Sequence, residues 1–437
     1  MTVLPTILAG PVPWILHDQS DGHYHCCVTS PPYWGLRDYG GDKLSWPAVS
    51  YLPMAGLPPV HVPQMECCLG LEPTPEAFIA HLVIVFREVK RVLREDGTLW
   101  LNLGDSYASG ELGRHDAKAG ARVGDADPLH RTDGSARDKK ARGMPRQSAS
   151  LQTGLKAKDL IGIPWRAALA LQADGWYLRS EVIWAKPNPM PESVTDRPTK
   201  AHEQVFLFSK SPRYFYDADA VREPLVKGAA GSYFDRGKTG ANGMGRVQDG
   251  EREDNPAGRN MRTVWTIATR PSLVSHFAVM APDLAERCIK AGTSEFGCCP
   301  ECGRPWERIV ERERTSESCS APQLNALATT GPIGVGITGR ALGGAIVRKS
   351  VATGSRPSCP CSNTVPVPCR VLDPFGGSGT TASVAIYLKR EGTICEPNGD
   401  YHLIVEKRMA EVFKCMSDGK MILDAEKSKG VRQLSLC

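Results

Sequence analysis

The segment VLDPFGGSGTT, from Val371 to Thr381, decides the reading of this chain. An apolar run ends in Asp373, a glycine loop follows, and a helix-forming run opens near Thr380. A strand, tight loop and helix in that order bring bare backbone N–H groups and a helix N-terminus against a ligand. The loop has no Gly-Lys-Ser/Thr ending, which disfavours hydrolysis of a nucleoside triphosphate. About twenty residues further on, the strand-like GTICEPN ends in Glu396, a carboxylate placed to accept hydrogen bonds from ribose hydroxyls. Acid, glycine loop and second acid together predict a site for an adenosine-containing cofactor.

Outward from this loop, strand and helix patterns alternate. Arg370–Asp373, Gly392–Cys395, Tyr24–Val28, Thr98–Leu103, Leu178–Ala185 and Gln204–Ser209 read as strands. Thr380–Lys389 and Tyr401–Cys415 read as helices, as does Leu160–Ala173 with Pro164 in its first turn. Thr74 is an N-cap with Pro75 at the first helical position. Phe78, Leu82, Val85, Phe86, Val89 and Leu93 then recur at helical spacing until Asp96-Gly97. This alternation predicts an α/β sheet.

The 437 residues are 41% hydrophobic and 23% charged, which suits a soluble globular chain. The apolar opening MTVLPTILAGPVPWIL is broken by Pro5, Pro11 and Pro13 and has no basic lead-in, so the expectation is a cytoplasmic protein without membrane attachment. A net charge of +5 is compatible with a nucleic-acid partner without requiring one. Between Gly110 and Lys158 basic residues recur among glycines, either a solvated loop or a clamp on phosphates. Leu225–Asn260 has a similar composition. Fifteen cysteines without a secretory leader argue for reduced thiols or a metal. Cys299 and Cys302 form CxxC, and Cys359 and Cys361 form CxC, so four thiolates would make a closed, structural zinc site at the base of a long insertion. Cys298, Cys319 and Cys369 offer competing ligands. The intervening ALATTGPIGVGITGRALGGAIV reads as a flexible loop.

Near the N-terminus, CCVTSPPYWG places Pro31 and Pro32 between Ser30 and Tyr33. Alone, this suits a polyproline-type surface turn. Together, DPFGGSGTT, CEPN and the upstream TSPPYW resemble the S-adenosylmethionine-dependent DNA amino-methyltransferases, in the permuted group whose catalytic motif precedes the cofactor motif. GTLWLNLGDSY, WAKPNPMPESVTDRPTKAHE and HFAVMAPDLAERCIKAG extend the resemblance over most of the chain. It implies a Rossmann-like fold with a mixed, mostly parallel, circularly permuted sheet, to which the cysteine spacing adds a small zinc-knuckle insertion as a departure from the family pattern. The implied organisation is a catalytic half over residues 1–105 and 159–217, interrupted by a basic insertion at 106–158. A target-recognition segment at 218–262, a cofactor wall at 263–297, a Cys-rich insertion at 298–369, a cofactor half at 370–420 and a tail at 421–437 complete it.

The resemblance also implies roles. An exocyclic base amine is a poor nucleophile because its lone pair is delocalised into the ring. Ser30 and the Pro31 carbonyl would accept its two hydrogens and turn the lone pair towards the methyl group. Pro31 and Pro32 fix the backbone, and Tyr33 offers a ring for a flipped base. Asp373, Phe375, Gly377, Ser378, Gly379 and Thr380 would line the cofactor, with Glu396 and Asn398 at its ribose end. His276 and Phe277 match a second cofactor wall or are simply core residues. Asn102 and Asp105 are turn formers by type. The implied partner is double-stranded DNA, with a separately encoded restriction endonuclease allowed. Serine at position 30 favours methylation of the cytosine 4-amino group, with the adenine 6-amino group as the alternative and a catalytically inactive DNA-binding module as the reading of another class. RNA or a protein glutamine would be a third kind of substrate. Attack at cytosine carbon 5 needs a thiolate in a Pro-Cys-Gln setting, which the Pro-Cys pairs here lack.

Overall fold

The computed structural model describes residues 4–35, 42–108, 155–224, 258–269, 280–315, 335–338, 346–362 and 365–417. The chain divides into two compact units. One comprises residues 1–215, 263–292 and 369–437, the other 216–262 and 293–368.

In chain order the first unit begins with β1 (Thr6–Leu8) and β2 (Tyr24–Thr29). Two short antiparallel ribbons follow, nested in sequence: β3 (Leu44–Trp46) pairs with β6 (Met65–Cys67), and β4 (Val49–Tyr51) with β5 (Val60–Val62). Helix α1 (Pro75–Val92) starts where the cap predicts, the Thr74 hydroxyl accepting the Ala77 N–H at 3.2 Å. Its stripe Phe78, Leu82, Val85, Phe86 and Val89 is fully buried. Strand β7 (Leu93–Leu103), helix α2 (Ile163–Ala173), β8 (Tyr177–Ala185), β9 (His202–Ser209), β10 (Val264–Thr266) and α3 (Pro282–Gly292) continue the unit.

The second unit contributes β11 (Glu307–Thr315), β12 (Val335–Thr338) and β13 (Ile346–Arg356), a three-stranded antiparallel sheet in the order β11-β13-β12. The first unit then closes with β14 (Arg370–Asp373), α4 (Thr380–Tyr387), β15 (Glu391–Cys395) and α5 (Gly399–Ser417).

Eight strands form one sheet in the order β1-β15-β14-β2-β7-β9-β8-β10. All neighbours are parallel except β9, which runs antiparallel to β7 and β8. This is the mixed, mostly parallel Rossmann-like sheet, with the SPPY strand before the glycine-loop strand in the chain. Every residue of β2 is buried, as expected for a central strand covered on both faces. Strands β14 and β2 lie side by side, Val371 opposite Cys26 and Leu372 opposite Cys27. From β14 the chain passes through α4 to β15 on one side, and from β2 through α1 to β7 on the other. The strand order therefore reverses between β14 and β2, and in open α/β sheets ligands bind beyond the carboxyl ends of the strands at such a reversal. The SPPY segment and the glycine loop both leave the sheet there.

Two expectations need correction. Helix α1 stops at Val92 instead of running to Asp96-Gly97, because the buried Leu93 turns extended and pairs with Tyr24, with a bulge before the Cys26–Thr98 pair. The glycine-rich run read as a flexible loop contains strands. Val335–Thr338 pairs antiparallel with Ile346–Lys349 of β13, because ladder pairing is made by the backbone and glycine-rich sequence does not prevent it. Most of the basic insertion at 106–158 and of the segment at 218–262 falls outside the described residues.

Candidate active site

The cofactor loop is shaped by close approach. Gly376 donates its N–H to the Cys395 carbonyl at 3.0 Å, and a Cβ there would meet Ile394 Cβ at 2.5 Å. Gly377 and Gly379 take positive φ values of 48° and 74°, which glycine adopts without strain. At Gly379 a Cβ would also lie 2.8 Å from Val405. Arg408 of α5 secures the loop from below, its Nη1 donating to the Ser378 carbonyl and hydroxyl, both at 3.1 Å, and to Thr380 Oγ1 at 2.5 Å.

Asp373 has a tying role. Its Oδ1 accepts the Thr29 hydroxyl at 2.6 Å and the Phe375 N–H at 3.0 Å, and its Oδ2 accepts the Thr381 hydroxyl at 2.7 Å. One carboxylate thus joins the end of β2, immediately before Ser30, to both sides of the cofactor loop. Burial raises its pKa above the ordinary aspartate value, against the lowering effect of these three donors.

Glu396 lies at the end of β15. Its Oε2 accepts the Gly377 N–H and its Oε1 the Asn398 N–H, each at 2.9 Å, and burial raises its pKa. Each oxygen retains acceptor capacity for a ribose hydroxyl. The bare loop, the N-terminus of α4 and this oriented carboxylate fit an adenosine-containing cofactor. Phe375 and Gly377 are half-buried, Ser378 and Thr380 buried, and Asn398 exposed. His276 and Phe277 lie outside the described residues.

The SPPY segment is clamped on two sides. Gly35 donates to the Gly70 carbonyl at 2.8 Å, and Trp34 Nε1 to the Glu72 carbonyl at 2.9 Å. On the other side the Tyr33 ring lies against the backbone of Gly104, where a Cβ would come 2.4 Å from Tyr33 Cε2. The Tyr33 hydroxyl donates to Glu203 Oε2 at 2.7 Å and accepts from Asn102 Nδ2 at 2.9 Å. Asn102 Nδ2 also lies 3.4 Å from Ser30 Oγ, and Lys186 pairs with the other Glu203 oxygen. The buried thiols just before Ser30 are poor nucleophiles, since burial pushes Cys26 up to about 12 and raises Cys27 well above its ordinary value.

The structure therefore brings Ser30–Tyr33 and Asp373–Thr380 to one edge of the sheet, with Glu396 beside the cofactor loop. Thr29, Thr381, Arg408, Lys186 and Glu203 join the site without a motif role of their own. Lys186 and Glu203 do fall in the quoted WAKPNPMPESVTDRPTKAHE stretch, and charged residues at the ends of apolar strands were the available signal. Asn102, read as a turn former, is a buried member of β7. Asp105 does act at a turn, accepting from the Ser106, Gly162 and Ile163 N–H groups at 2.9–3.0 Å across the start of α2. In the second unit the sulfurs of Cys299, Cys302, Cys359 and Cys361 all lie within 4.8 Å of one another.

A nucleoside-cofactor loop and a Ser-Pro-Pro-Tyr bracket at one switch point define a group-transfer enzyme of the α/β class. Residues 24–299 match the N6_N4_Mtase family model, described as DNA methylase. The chain belongs to this family of S-adenosylmethionine-dependent DNA amino-methyltransferases. It is 41% identical over 290 residues to the Type II methyltransferase M.XycI of Xanthomonas campestris pv. cyanopsidis, covering 66% of this chain and 72% of that one. To M.SmaI of Serratia marcescens, also a Type II methyltransferase, it is 39% identical over 274 residues, 63% and 70% of the two chains. The solved structure titled PvuII DNA methyltransferase (cytosine-N4-specific) aligns over 96% of this chain and 95% of that one, with TM-score 0.46 and 12% identity. No helix among the described residues is long and apolar enough to cross a membrane.

Proposed function

We propose that this enzyme methylates the exocyclic 4-amino group of cytosine in double-stranded DNA. The observation that carries the reading is Asp373, which joins Thr29, next to Ser30, to the cofactor loop through hydrogen bonds of 2.6 and 2.7 Å on either side. The acceptor of the amine and the holder of the methyl donor are thereby fixed to one carboxylate.

When bound, S-adenosylmethionine supplies an electrophilic methyl group on a sulfonium. Glu396 and Asn398 would hold the ribose end, and Phe375, Gly377, Ser378, Gly379 and Thr380 the rest. Ser30 Oγ and the Pro31 carbonyl accept the two amine hydrogens, which directs the nitrogen lone pair out of the ring plane and stabilises positive charge growing on nitrogen. Pro32 keeps that carbonyl in place, since its ring fixes the backbone. Tyr33, held by Glu203 and Asn102, presents a ring face to a base taken out of the duplex. Serine rather than aspartate or asparagine at position 30 supports cytosine as the base. The Type II designation of the relatives supports a modification role beside a separately encoded restriction endonuclease.

Ser30→Ala tests the assignment. The variant is expected to bind S-adenosylmethionine as the parent does and to transfer methyl groups about 100-fold more slowly, the usual cost of removing one group that stabilises transition-state charge. Full activity in Ser30→Ala would exclude the serine as an amine acceptor.

A further inference from the structure

We propose that Cys299, Cys302, Cys359 and Cys361 bind one zinc ion, as a structural site that closes the base of the β11–β13 ladder. Tetrahedral thiolate coordination at about 2.3 Å from the metal requires sulfurs roughly 3.8 Å apart. All four sulfurs lie within 4.8 Å of one another, so sub-ångström adjustments would bring them to a common ion.

The local backbone is built as a knuckle. Gly303 has φ +69° and donates its N–H to the Cys299 carbonyl at 2.8 Å, so the chain reverses directly after Cys302. The Cys302 and Glu301 backbone N–H groups face the Cys299 sulfur. The neighbouring Cys298 is turned away from the four. Its backbone pairs with Val367 in both directions, at 2.8 and 2.9 Å, and its thiol faces the Pro368 carbonyl at 3.7 Å. The sequence left Cys298 as a competing ligand, and this geometry removes it.

The position explains the use of a metal. Strand β11 begins at Glu307, shortly after the first pair of cysteines, and β13 ends at Arg356, shortly before the second. Glu307 and Arg356 are themselves partners in the ladder. Ser358 Oγ donates to the Pro305 carbonyl at 2.7 Å, which draws the two knuckles together. The ligand pairs are separated by the whole of residues 303–358, and a metal clip on so long a loop offsets closure entropy that a small three-stranded sheet covers poorly. The closed set of four thiolates leaves no position for substrate, so the ion is structural and not catalytic.

Metal analysis of the full-length protein, purified without chelators, tests this independently of methyl transfer. The expected result is one zinc per chain, released by an organomercurial, and lost in the Cys359→Ser/Cys361→Ser double variant. That variant should also be cleaved faster within residues 293–368 in limited proteolysis. If the variant does not fold, cobalt replacement in the parent protein decides, and should give the visible bands of tetrahedral cobalt thiolate. Metal at background level, or a Cys299–Cys302 disulfide found by mass in anaerobically purified protein, would overturn the proposal.

Discussion

Gly104→Ala offers a way to move the Tyr33 ring without altering any group assigned to chemistry. The new methyl would sit 2.4 Å from Tyr33 Cε2 and 2.7 Å from Cδ2, whereas ordinary contact begins at 3.4 Å. The ring must therefore shift by about 1 Å, or the β7 backbone must yield by a similar amount. The Tyr33 hydroxyl is held at 2.7 Å by Glu203 and 2.9 Å by Asn102, so the displacement propagates into the groups around Ser30. A misplacement of about 1 Å costs on the order of 100-fold in rate, or about 2.7 kcal/mol in the activation barrier. Single-turnover transfer of a labelled methyl group to DNA would measure that loss, with calorimetry giving the affinity for S-adenosylmethionine. The affinity should be unchanged, because Gly104 follows β7 while the cofactor residues follow β14 and β15. Thermal unfolding must show the variant folded at the assay temperature. An unimpaired rate, or cofactor affinity falling in step with the rate, would refute the claim that the ring position matters for the base.

Glu396→Gln should weaken cofactor binding by about 10-fold, the scale of a hydrogen bond to a charged acceptor. Burial raises the Glu396 pKa, so the parent protein should lose affinity for S-adenosylmethionine as pH falls, starting at a higher pH than an ordinary glutamate would dictate. The sign follows because the ionised carboxylate is the better acceptor of ribose hydroxyls. Titration calorimetry across pH 5–8 should show a flatter profile for the variant, and identical profiles would remove Glu396 from the ribose site. Asp105→Ala should cost about 1–2 kcal/mol of stability, since the start of α2 loses an acceptor for the Gly162 and Ile163 N–H groups. Urea unfolding measures this, and an unchanged midpoint would mean that water replaces the carboxylate at no cost.

The elements most legible in the sequence are those whose local chemistry and tertiary role agree. The Thr74-Pro75 start of α1 and the Asp373 glycine loop carry their own turn and cap signals, and each sits where those signals place it. The end of α1 is not legible because Leu93 continues the helical stripe yet is taken by a partner strand, a tertiary preference that periodicity does not contain. The ribbons β3–β6 and β4–β5 are three residues per strand, too short for alternation to register. At the site, Ser30–Tyr33 stood out because a diproline is rare in a strand end. Glu203 and Asn102 did not, since a carboxylate and an amide become a network only when β9 is laid beside β7. The cysteine pairs were legible by spacing alone, but only the fold separates Cys298 from the four that converge.

The central claim, amine methylation of cytosine by the Ser30-Pro31 bracket, is tested most directly by identifying the product. Unmethylated double-stranded DNA of varied sequence, incubated with the purified protein and S-adenosylmethionine, would be digested to nucleosides and resolved by mass and retention against standards. The account predicts N4-methyldeoxycytidine. N6-methyldeoxyadenosine alone would contradict the base assignment while leaving the amine chemistry intact. 5-Methyldeoxycytidine, or no methylated nucleoside at all, would contradict the account itself.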